Sequence, residues 1–118
     1  MPVEIRDRSK KFAIEIIKSL NKPFSSIAAN EIARQLIRSS CSIGANLEEA
    51  DASPTKKDFI HKVTISYKEA RESRYWLELL LEADVVCNKS NRDVLKILLS
   101  EAEQLSKILY TIIKRAKE

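Results

Sequence analysis

Apolar residues recur every three or four positions along most of the chain, which is the period of an α-helix with one buried face. Four such stripes are separated by short polar stretches that contain Pro, Ser or Asn. The first stripe begins at Ile5 and the last reaches Ala116. The pattern predicts four helices, at about residues 5–21, 26–51, 54–86 and 91–116.

Each stripe supplies four or more side chains to a predicted core. The inward-facing residues are expected to be Ile5, Phe12, Ile16 and Leu20; Ile32, Leu36, Ile43, Leu47 and Ala50; Ile60, Val63, Tyr67, Ala70, Leu77 and Leu81; and Leu95, Leu98, Ala102, Leu105, Leu109, Ile112 and Ala116. Short connections between long amphipathic helices make neighbours antiparallel. The sequence therefore predicts an all-α, antiparallel up-down-up-down four-helix bundle, with residues 1–118 forming one domain.

Helix ends are indicated by proline and by small polar residues. Pro23 cannot continue a helix, so the first helix ends before it. Ser25 or Ser26 is expected to cap the second helix, because a serine hydroxyl accepts from the free N–H groups of the first turn. Ser90, with Asp93 three residues later, predicts the cap of the fourth helix.

The start of the third helix has two possible registers. Ser53 is a good N-cap, and Pro54 then occupies the first helical position, where its missing N–H costs nothing. Thr55 with Asp58 forms a competing capping box. The sequence leaves both registers open.

Composition excludes several classes of protein. Among the 118 residues, 44% are hydrophobic and 32% are charged, which is typical of neither a disordered nor a membrane protein. No apolar run is long enough to span a bilayer, and the N-terminal segment lacks the apolar core of a signal peptide. We therefore expect a cytoplasmic protein with no membrane partner, in which Cys41 and Cys87 are free thiols.

The smallest residues of the chain are concentrated in the stretch "SSCSIGAN", which contains its only glycine, Gly44. A phosphate-binding loop would need several glycines between a strand and a helix, whereas helical periodicity continues on both sides of this one. We therefore assign Ser42, Gly44 and Asn46 to close helix packing. Two interpretations of Asn46 remain open: a surface amide, or a buried amide that fixes the register of the helices.

The residue inventory argues against an enzyme. His61 is the only histidine, and a di-iron bundle needs two Glu-x-x-His units. His61 could act with Asp58, but an ordinary pair on a helix surface is the simpler interpretation. We predict no catalytic residue, no metal site and no cofactor.

The segment "SIGANLEEA", followed by "KKDFIHKVTISYKEARESRYWLELL", resembles the 23S rRNA-intervening sequence proteins, a family of small four-helix bundles. The family pattern is a Ser-Ile-x-x-Asn-Ile-x-Glu-Gly run, then Phe-Ile and a Glu-rich third helix. Ala50 stands where the family often has glycine. The positions that match are Ser42, Ile43, Asn46, Leu47, Glu49, Phe59, Ile60, Glu69, Ala70, Glu72, Tyr75, Trp76 and Leu77.

This resemblance, which extends over essentially the whole chain, implies a bundle that assembles as a ring-like homopentamer. It also implies kinship with the accessory proteins of diversity-generating retroelements, which bind nucleic acid and a reverse transcriptase. The resemblance identifies no catalytic residues.

Charge is concentrated at the two ends of the sequence. Residues 1–22 carry six bases and three acids, and residues 89–118 carry seven bases and four acids. In an up-down-up-down bundle the start of the first helix and the end of the fourth lie at the same end. The bases expected there are Arg6, Arg8, Lys10, Lys11, Lys107, Lys114, Arg115 and Lys117. No base-reading motif is present, so the prediction is a non-catalytic, oligomeric protein that binds the backbone of RNA or DNA.

Other charged residues are expected to form pairs. Glu69 and Glu72 lie at helical spacing from Arg71 and Arg74, which indicates pairs within the third helix or between subunits. The acids that end the second helix are expected to pair with lysines beyond the next turn or with another subunit. These acids are Glu48, Glu49 and Asp51, and the lysines are Lys56 and Lys57.

The competing hypothesis is a protein-interaction scaffold with no nucleic-acid role. Trp76, Leu79 and Leu80 lie beside the main stripe of the third helix. They indicate either a wide core-facing stripe or an apolar flank that is buried against another subunit or a partner protein.

Overall fold

The computed structural model describes residues 1–118 and contains four α-helices. They are α1 (Val3–Ser19), α2 (Ile27–Asp51), α3 (Lys56–Glu82) and α4 (Lys89–Ala116). No strand is present. The predicted all-α four-helix fold is confirmed. The molecule measures 46 × 20 × 19 Å, so its long axis is about the length of the longest helix, at about 1.5 Å per residue.

Each helix contacts two others around the bundle. α1 packs on α2 and α4, α3 packs on the same two helices, and the diagonal pairs do not meet. Across the α2–α3 interface, Ser39 lies beside Ser73 and Ile43 lies beside Ser66. The later residue of α2 therefore meets the earlier residue of α3, as antiparallel neighbours require.

The core is one continuous cluster of 22 buried apolar residues drawn from all four helices, from Leu20 at the C-cap of α1 and from the α3–α4 connection. Most of the predicted stripe lies in it. Five members of the stripe are instead only half-buried, namely Ile32, Ile60, Tyr67, Ile112 and Ala116. On α4, Ile113 is buried in place of the predicted Ile112, which lines an α1–α4 surface. In the last turns, the buried face of α4 is therefore shifted by about one residue from the predicted face, away from α1 and towards α3.

The caps of α2 and α3 use predicted residues. Ser26 Oγ accepts a hydrogen bond of 3.2 Å from the N–H of Ala29. Thr55 Oγ1 accepts one of 3.1 Å from the N–H of Asp58. The Thr55 register is therefore the one that forms, and α3 begins at Lys56 rather than at residue 54.

The start of α4 differs from the sequence prediction. Asn88, not Ser90, is the N-cap, and its side-chain oxygen accepts from the N–H of Asn91 at 3.1 Å. Asparagine caps at least as well as serine. The earlier cap adds about half a turn to the predicted helix, so α4 begins at Lys89.

The end of α3 also differs, because the helix stops at Glu82 rather than near residue 86. Asp84 has a φ of 56°, a left-handed conformation that interrupts the helix and that aspartate tolerates. The chain then returns Val86 to the core. Arg92 fastens this turn, since its Nη1 lies 3.2 Å from Asp84 Oδ1 and 3.4 Å from the carbonyl oxygens of both Leu81 and Val86.

Candidate nucleic-acid interface

Gly44 faces the backbone of α1. A Cβ atom built on Gly44 would lie 3.9 Å from the backbone of Ser9 and Lys10, which is ordinary van der Waals contact. The two helices therefore approach closely here, although the space would admit an alanine.

A second contact through small residues lies between α2 and α3. Ser39 Oγ and Ser73 Oγ are 2.8 Å apart, and Ser66 Oγ donates to the carbonyl of Ile43 at 2.8 Å. All three hydroxyls are buried. Sequence reasoning missed Ser66 and Ser73, although both lie at helical spacing on the apolar face of α3.

Asn46 matches neither of its two predicted roles. Its side chain is only 9% exposed, yet Nδ2 donates to the carbonyl and hydroxyl oxygens of Ser42, at 2.8 and 3.0 Å. Because Ser42 is one turn earlier on the same helix, the amide makes no bond between helices.

Two of the predicted basic residues are engaged in ion pairs. Arg6 lies 3.7 Å from Glu48 and 3.3 Å from Asp51. Arg8 lies 2.6 Å from Glu101, and this hydrogen bond raises the pKa of Arg8 above its ordinary value, with burial opposing the shift. These carboxylates reduce the capacity of Arg6 and Arg8 to attract a phosphate.

The acids that end α2 thus have partners other than those predicted. Glu48 and Asp51 pair with Arg6, and Glu49 pairs with Lys62 at 3.1 Å. Neither Lys56 nor Lys57 has a carboxylate oxygen within 4 Å. α1 and the second turn of α3 lie across from the end of α2, whereas these lysines belong to the first turn of α3.

The other six predicted bases are exposed and have no carboxylate oxygen within 4 Å; they are Lys10, Lys11, Lys107, Lys114, Arg115 and Lys117. They do not form one patch. Lys10 lines the α1–α2 surface, Lys11 and Arg115 line α1–α4 surfaces, and Lys107 lines an α3–α4 surface.

An open groove between α3 and α4, hereafter the α3–α4 groove, combines several bases with aromatic rings. Its cavity has a volume of about 640 Å³. The lining residues are Tyr67, Arg71, Arg74, Glu103, Ser106, Lys107, Tyr110 and Thr111. Three cations, one carboxylate (Glu103) and two phenol rings thus surround a space that belongs to the size range of small-ligand sites, and the net charge of its lining is positive.

The groove arranges three planar groups side by side. The ring centroids of Tyr67 and Tyr110 are 5.9 Å apart, with an angle of 48° between the planes. The Arg71 guanidinium carbon lies 5.9 Å from the Tyr67 centroid, and its Nη1 donates to the Tyr67 hydroxyl at 3.3 Å. Because no carboxylate pairs with Arg71, its charge is available to an anionic ligand.

The ion pairs predicted within α3 do not form. Glu69 and Glu72 pair with Arg38 of α2 instead. Arg74 Nε lies 3.1 Å from Glu78 Oε1, without the alignment of a hydrogen bond. Arg71 and Arg74 therefore face α4 while the two glutamates face α2.

The basic stripe of the groove continues along α4. Lys107, Tyr110, Lys114 and Lys117 are separated by steps of three and four residues, so they share one face of the helix. Because Lys107 and Tyr110 line the groove together with residues of α3, this face of α4 is directed towards α3. This spacing is the sequence signal for the α4 side of the groove, whereas nothing in the sequence indicates that Tyr67, Arg71 and Arg74 lie across from it.

Of the predicted subunit contact at Trp76, Leu79 and Leu80, one residue is wrong. Leu80 is 0% exposed and belongs to the core of its own chain. Trp76 is half-buried, with its Nε1 donating to Glu72 at 3.1 Å, and Leu79 is half-buried. The more exposed large aliphatic side chains lie on other helices, namely Val3, Ile14 and Ile17 on α1, Ile27 on α2 and Val94 and Ile97 on α4.

The side chains considered for catalysis do not form a joined group. His61 and Asp58 are both exposed, and no hydrogen bond joins them. No three His, Cys, Asp or Glu side chains are placed to hold a metal ion. Cys41 and Cys87 are free and exposed.

None of the four helices is both long enough and apolar enough to cross a bilayer.

Comparison with known families gives a match that spans nearly the whole chain. The model of the 23S rRNA-intervening sequence protein family matches residues 2–111. The chain belongs to this family. The resemblance that the "SIGANLEEA" segment indicated is thereby confirmed. No curated protein matches the chain.

A solved structure supports the same assignment. The chain is similar to a protein of unknown function from the S23 ribosomal protein family of Bacteroides thetaiotaomicron, with 34% identity and a TM-score of 0.76. The match covers 93% of this chain and 98% of the other. The fold is therefore shared over nearly the full length of both proteins.

Proposed function

We propose that this 23S rRNA-intervening sequence family member is a non-catalytic, oligomeric bundle protein. It binds the phosphate backbone of RNA or DNA without reading the bases. The observation that carries the proposal is the α3–α4 groove, where Arg71, Arg74 and Lys107 converge and where Arg71 and Lys107 have no carboxylate partner within 4 Å. Cations that need not first leave an ion pair bind phosphates at the lowest cost.

Most basic side chains of the protein are free of intramolecular ion pairs and are therefore available to an anionic partner. Seven of the 21 lysines and arginines lie within 4 Å of a carboxylate oxygen. Lys107 lines the groove, and Lys114 in the last turn of α4 and Lys117 at its C-cap follow at helical spacing; none of the three has a carboxylate oxygen within 4 Å. Without a helix or loop shaped to enter a base-pair groove, such residues recognise charge and shape rather than sequence.

Comparison with known proteins supports RNA as the first ligand to test. The family description refers to 23S rRNA, and the solved relative comes from a family named for a ribosomal protein. We extend that association to this chain as part of the proposal.

Oligomerisation is a second part of the proposal, and the family resemblance favours a pentamer. Ile14 and Ile17 expose 40% and 48% of their surface on α1, and the adjoining α1–α2 surface carries the small side chains Ala13, Cys41 and Ala45. A ring would repeat the α3–α4 groove in each subunit. Several modest basic surfaces would then act on one strand, with the gain in avidity that linked sites give.

The test is a fluorescence-anisotropy titration of the protein with labelled RNA and DNA at several salt concentrations. We expect binding that weakens steeply with salt. The variant K107Q/K114Q/K117Q removes three cations from one face of α4. It should reduce the affinity at least tenfold and lower the slope of log K against log salt by about one per lost phosphate contact.

A matched control removes the same charge at the opposite end of the bundle. Lys18, Lys22 and Lys89 are exposed and lack a carboxylate within 4 Å, so K18Q/K22Q/K89Q should bind nearly as tightly as the unmodified protein. Equal losses in both triple variants would show that total charge, not the groove, drives binding. No binding even at low salt would overturn the proposal and favour a protein-interaction scaffold that uses the apolar α1 surface.

A further inference from the structure

We infer that the α3–α4 groove binds single-stranded nucleic acid by stacking a base on Tyr110, next to the Tyr67 ring and the Arg71 guanidinium. This inference rests on the proposed function and specifies the form of nucleic acid that the groove takes. It also adds base stacking to backbone contact, so that single strands are preferred over duplexes.

The first argument is the exposure of Tyr110. Its side chain is 56% exposed, although it sits over a groove whose other aromatic ring, Tyr67, is half-buried. No acceptor is within hydrogen-bond distance of the Tyr110 hydroxyl. Tyr110 therefore lines the groove with more than half of its surface open, and it contacts the Tyr67 ring without a hydrogen bond from its own hydroxyl.

The second argument is the geometry of the neighbouring groups. The two phenol rings are tilted by 48° at 5.9 Å, so neither covers the face of the other as a parallel stack would. Arg71 is held over Tyr67 by its bond to the hydroxyl. Guanidinium planes and aromatic rings are both surfaces on which unpaired bases stack.

The third argument is the position of the cations relative to the rings. Lys107 and Lys114 flank Tyr110 on α4, at three and four residues, and Arg74 lies across the groove. A base on Tyr110 would place its phosphates beside these side chains. This combination of a basic track with aromatic rings is the usual design of sequence-tolerant single-strand sites. In a duplex the bases are already stacked and paired, so the rings would contribute nothing.

The experiment compares Y110A, Y110F and Y75A in anisotropy titrations with three labelled probes. The probes are a mixed-sequence single-stranded RNA, the same RNA as a duplex, and an abasic sugar–phosphate oligomer of equal length. Tyr75 is the matched control because it is 54% exposed and lies on α3 outside the groove. Thermal melts monitored by circular dichroism verify that each variant is folded.

We expect Y110A to lose roughly 5- to 150-fold in affinity for the single strand, which is the range for removing one base–aromatic stack. Y110F keeps the ring and should bind as the unmodified protein does, as should Y75A. Affinity for the duplex and for the abasic oligomer should be unchanged by Y110A. The unmodified protein should prefer the single strand to both.

The possible failures are distinguishable. If Y110A binds the single strand normally while K107Q/K114Q/K117Q does not, the stacking inference is overturned and the backbone-binding proposal stands. If the abasic oligomer binds as tightly as the single strand, stacking is likewise overturned. If none of the three probes binds at low salt and labelled DNA does not bind either, both the inference and the proposed function are overturned.

Discussion

Ser39 Oγ and Ser73 Oγ lie 2.8 Å apart in the buried interface between α2 and α3. Ser39 also donates to the carbonyl of Leu36 at 3.3 Å, so in that arrangement the Ser73 hydroxyl donates to Ser39. Two helices that meet through hydroxyls can approach more closely than two that meet through leucines. The pair thus combines a polar bond with close packing.

Removal of either serine of this pair should destabilise the protein. S39A leaves the buried Ser73 hydroxyl without its acceptor, and S73A removes one of the two bonds of the Ser39 hydroxyl. Each variant should lower the free energy of unfolding by about 1 kcal/mol. The double variant S39A/S73A should lose less free energy of unfolding than the sum of the losses in the two single variants, because it leaves no orphaned hydroxyl. Urea unfolding of the four proteins measures the coupling. Strictly additive losses would contradict a direct bond.

Ser9 offers the opposite case. Its side chain is buried, and its Oγ has no hydrogen-bond partner. S9A removes this unsatisfied group and also improves helix propensity, so we expect the free energy of unfolding to rise by about 1 kcal/mol. S106A is a suitable control, because Ser106 donates to the carbonyl of Ala102 at 3.0 Å. A loss of stability in S9A would indicate that the hydroxyl is bonded.

The contact at Gly44 predicts opposite effects for two substitutions. An alanine Cβ would find only ordinary contacts at 3.9 Å, so G44A should stabilise the protein by up to about 1 kcal/mol through helix propensity. Leucine would have to displace α1, and G44L should destabilise it by about 1–3 kcal/mol. Thermal unfolding of both variants tests the prediction. If G44L were as stable as G44A, α1 would not be closely packed at this position.

Arg92 should stabilise the turn between α3 and α4. Its guanidinium is near Asp84 and two carbonyl oxygens, and charge-assisted bonds to several acceptors are stronger than a single neutral bond. We expect R92A to lower the free energy of unfolding by about 1–2 kcal/mol. R92K should recover only part of the lost free energy, because one ammonium cannot reproduce the planar set of donors of the guanidinium group. D84N is the comparison that removes the charge while retaining an acceptor.

The exposed aliphatic residues of α1 predict where subunits meet. In sedimentation velocity the unmodified protein should run as a species larger than one chain, and a pentamer would have five times its mass. I17E should shift this species towards the single chain, because a carboxylate buried in an interface is strongly unfavourable. I27E is the control, since Ile27 is 84% exposed at the start of α2. A single-chain species for the unmodified protein would contradict the proposed oligomer.

The helices and most of the core could be predicted from the sequence, because helical periodicity specifies which side chains face inward. Ile16, Leu36 and Leu109 are buried as their spacing indicates. Capping was less determined, because Asn88 and Ser90 are both adequate caps and local propensity alone does not choose between them. The tertiary turn around Arg92 decides where α3 ends and α4 begins.

The candidate site was only partly predictable, because it depends on how two helices are rotated against each other. Lys107 and Lys114 could be identified from charge alone. Arg71 could not, since its nearest glutamates in sequence face α2 and pair with Arg38. The Tyr67–Tyr110 contact joins residues of two different helices. Neither ring has a sequence neighbour that would indicate the other.

The length of the basic stripe on α4 sets how much nucleic acid one subunit can cover. From Lys107 to Lys117 is ten residues, or about 15 Å of helix, and a stacked strand places a phosphate about every 3.4 Å. Under the proposed function, each subunit would therefore occlude about four to five nucleotides. The occluded length measured in a saturating titration would then count the subunits that share one strand.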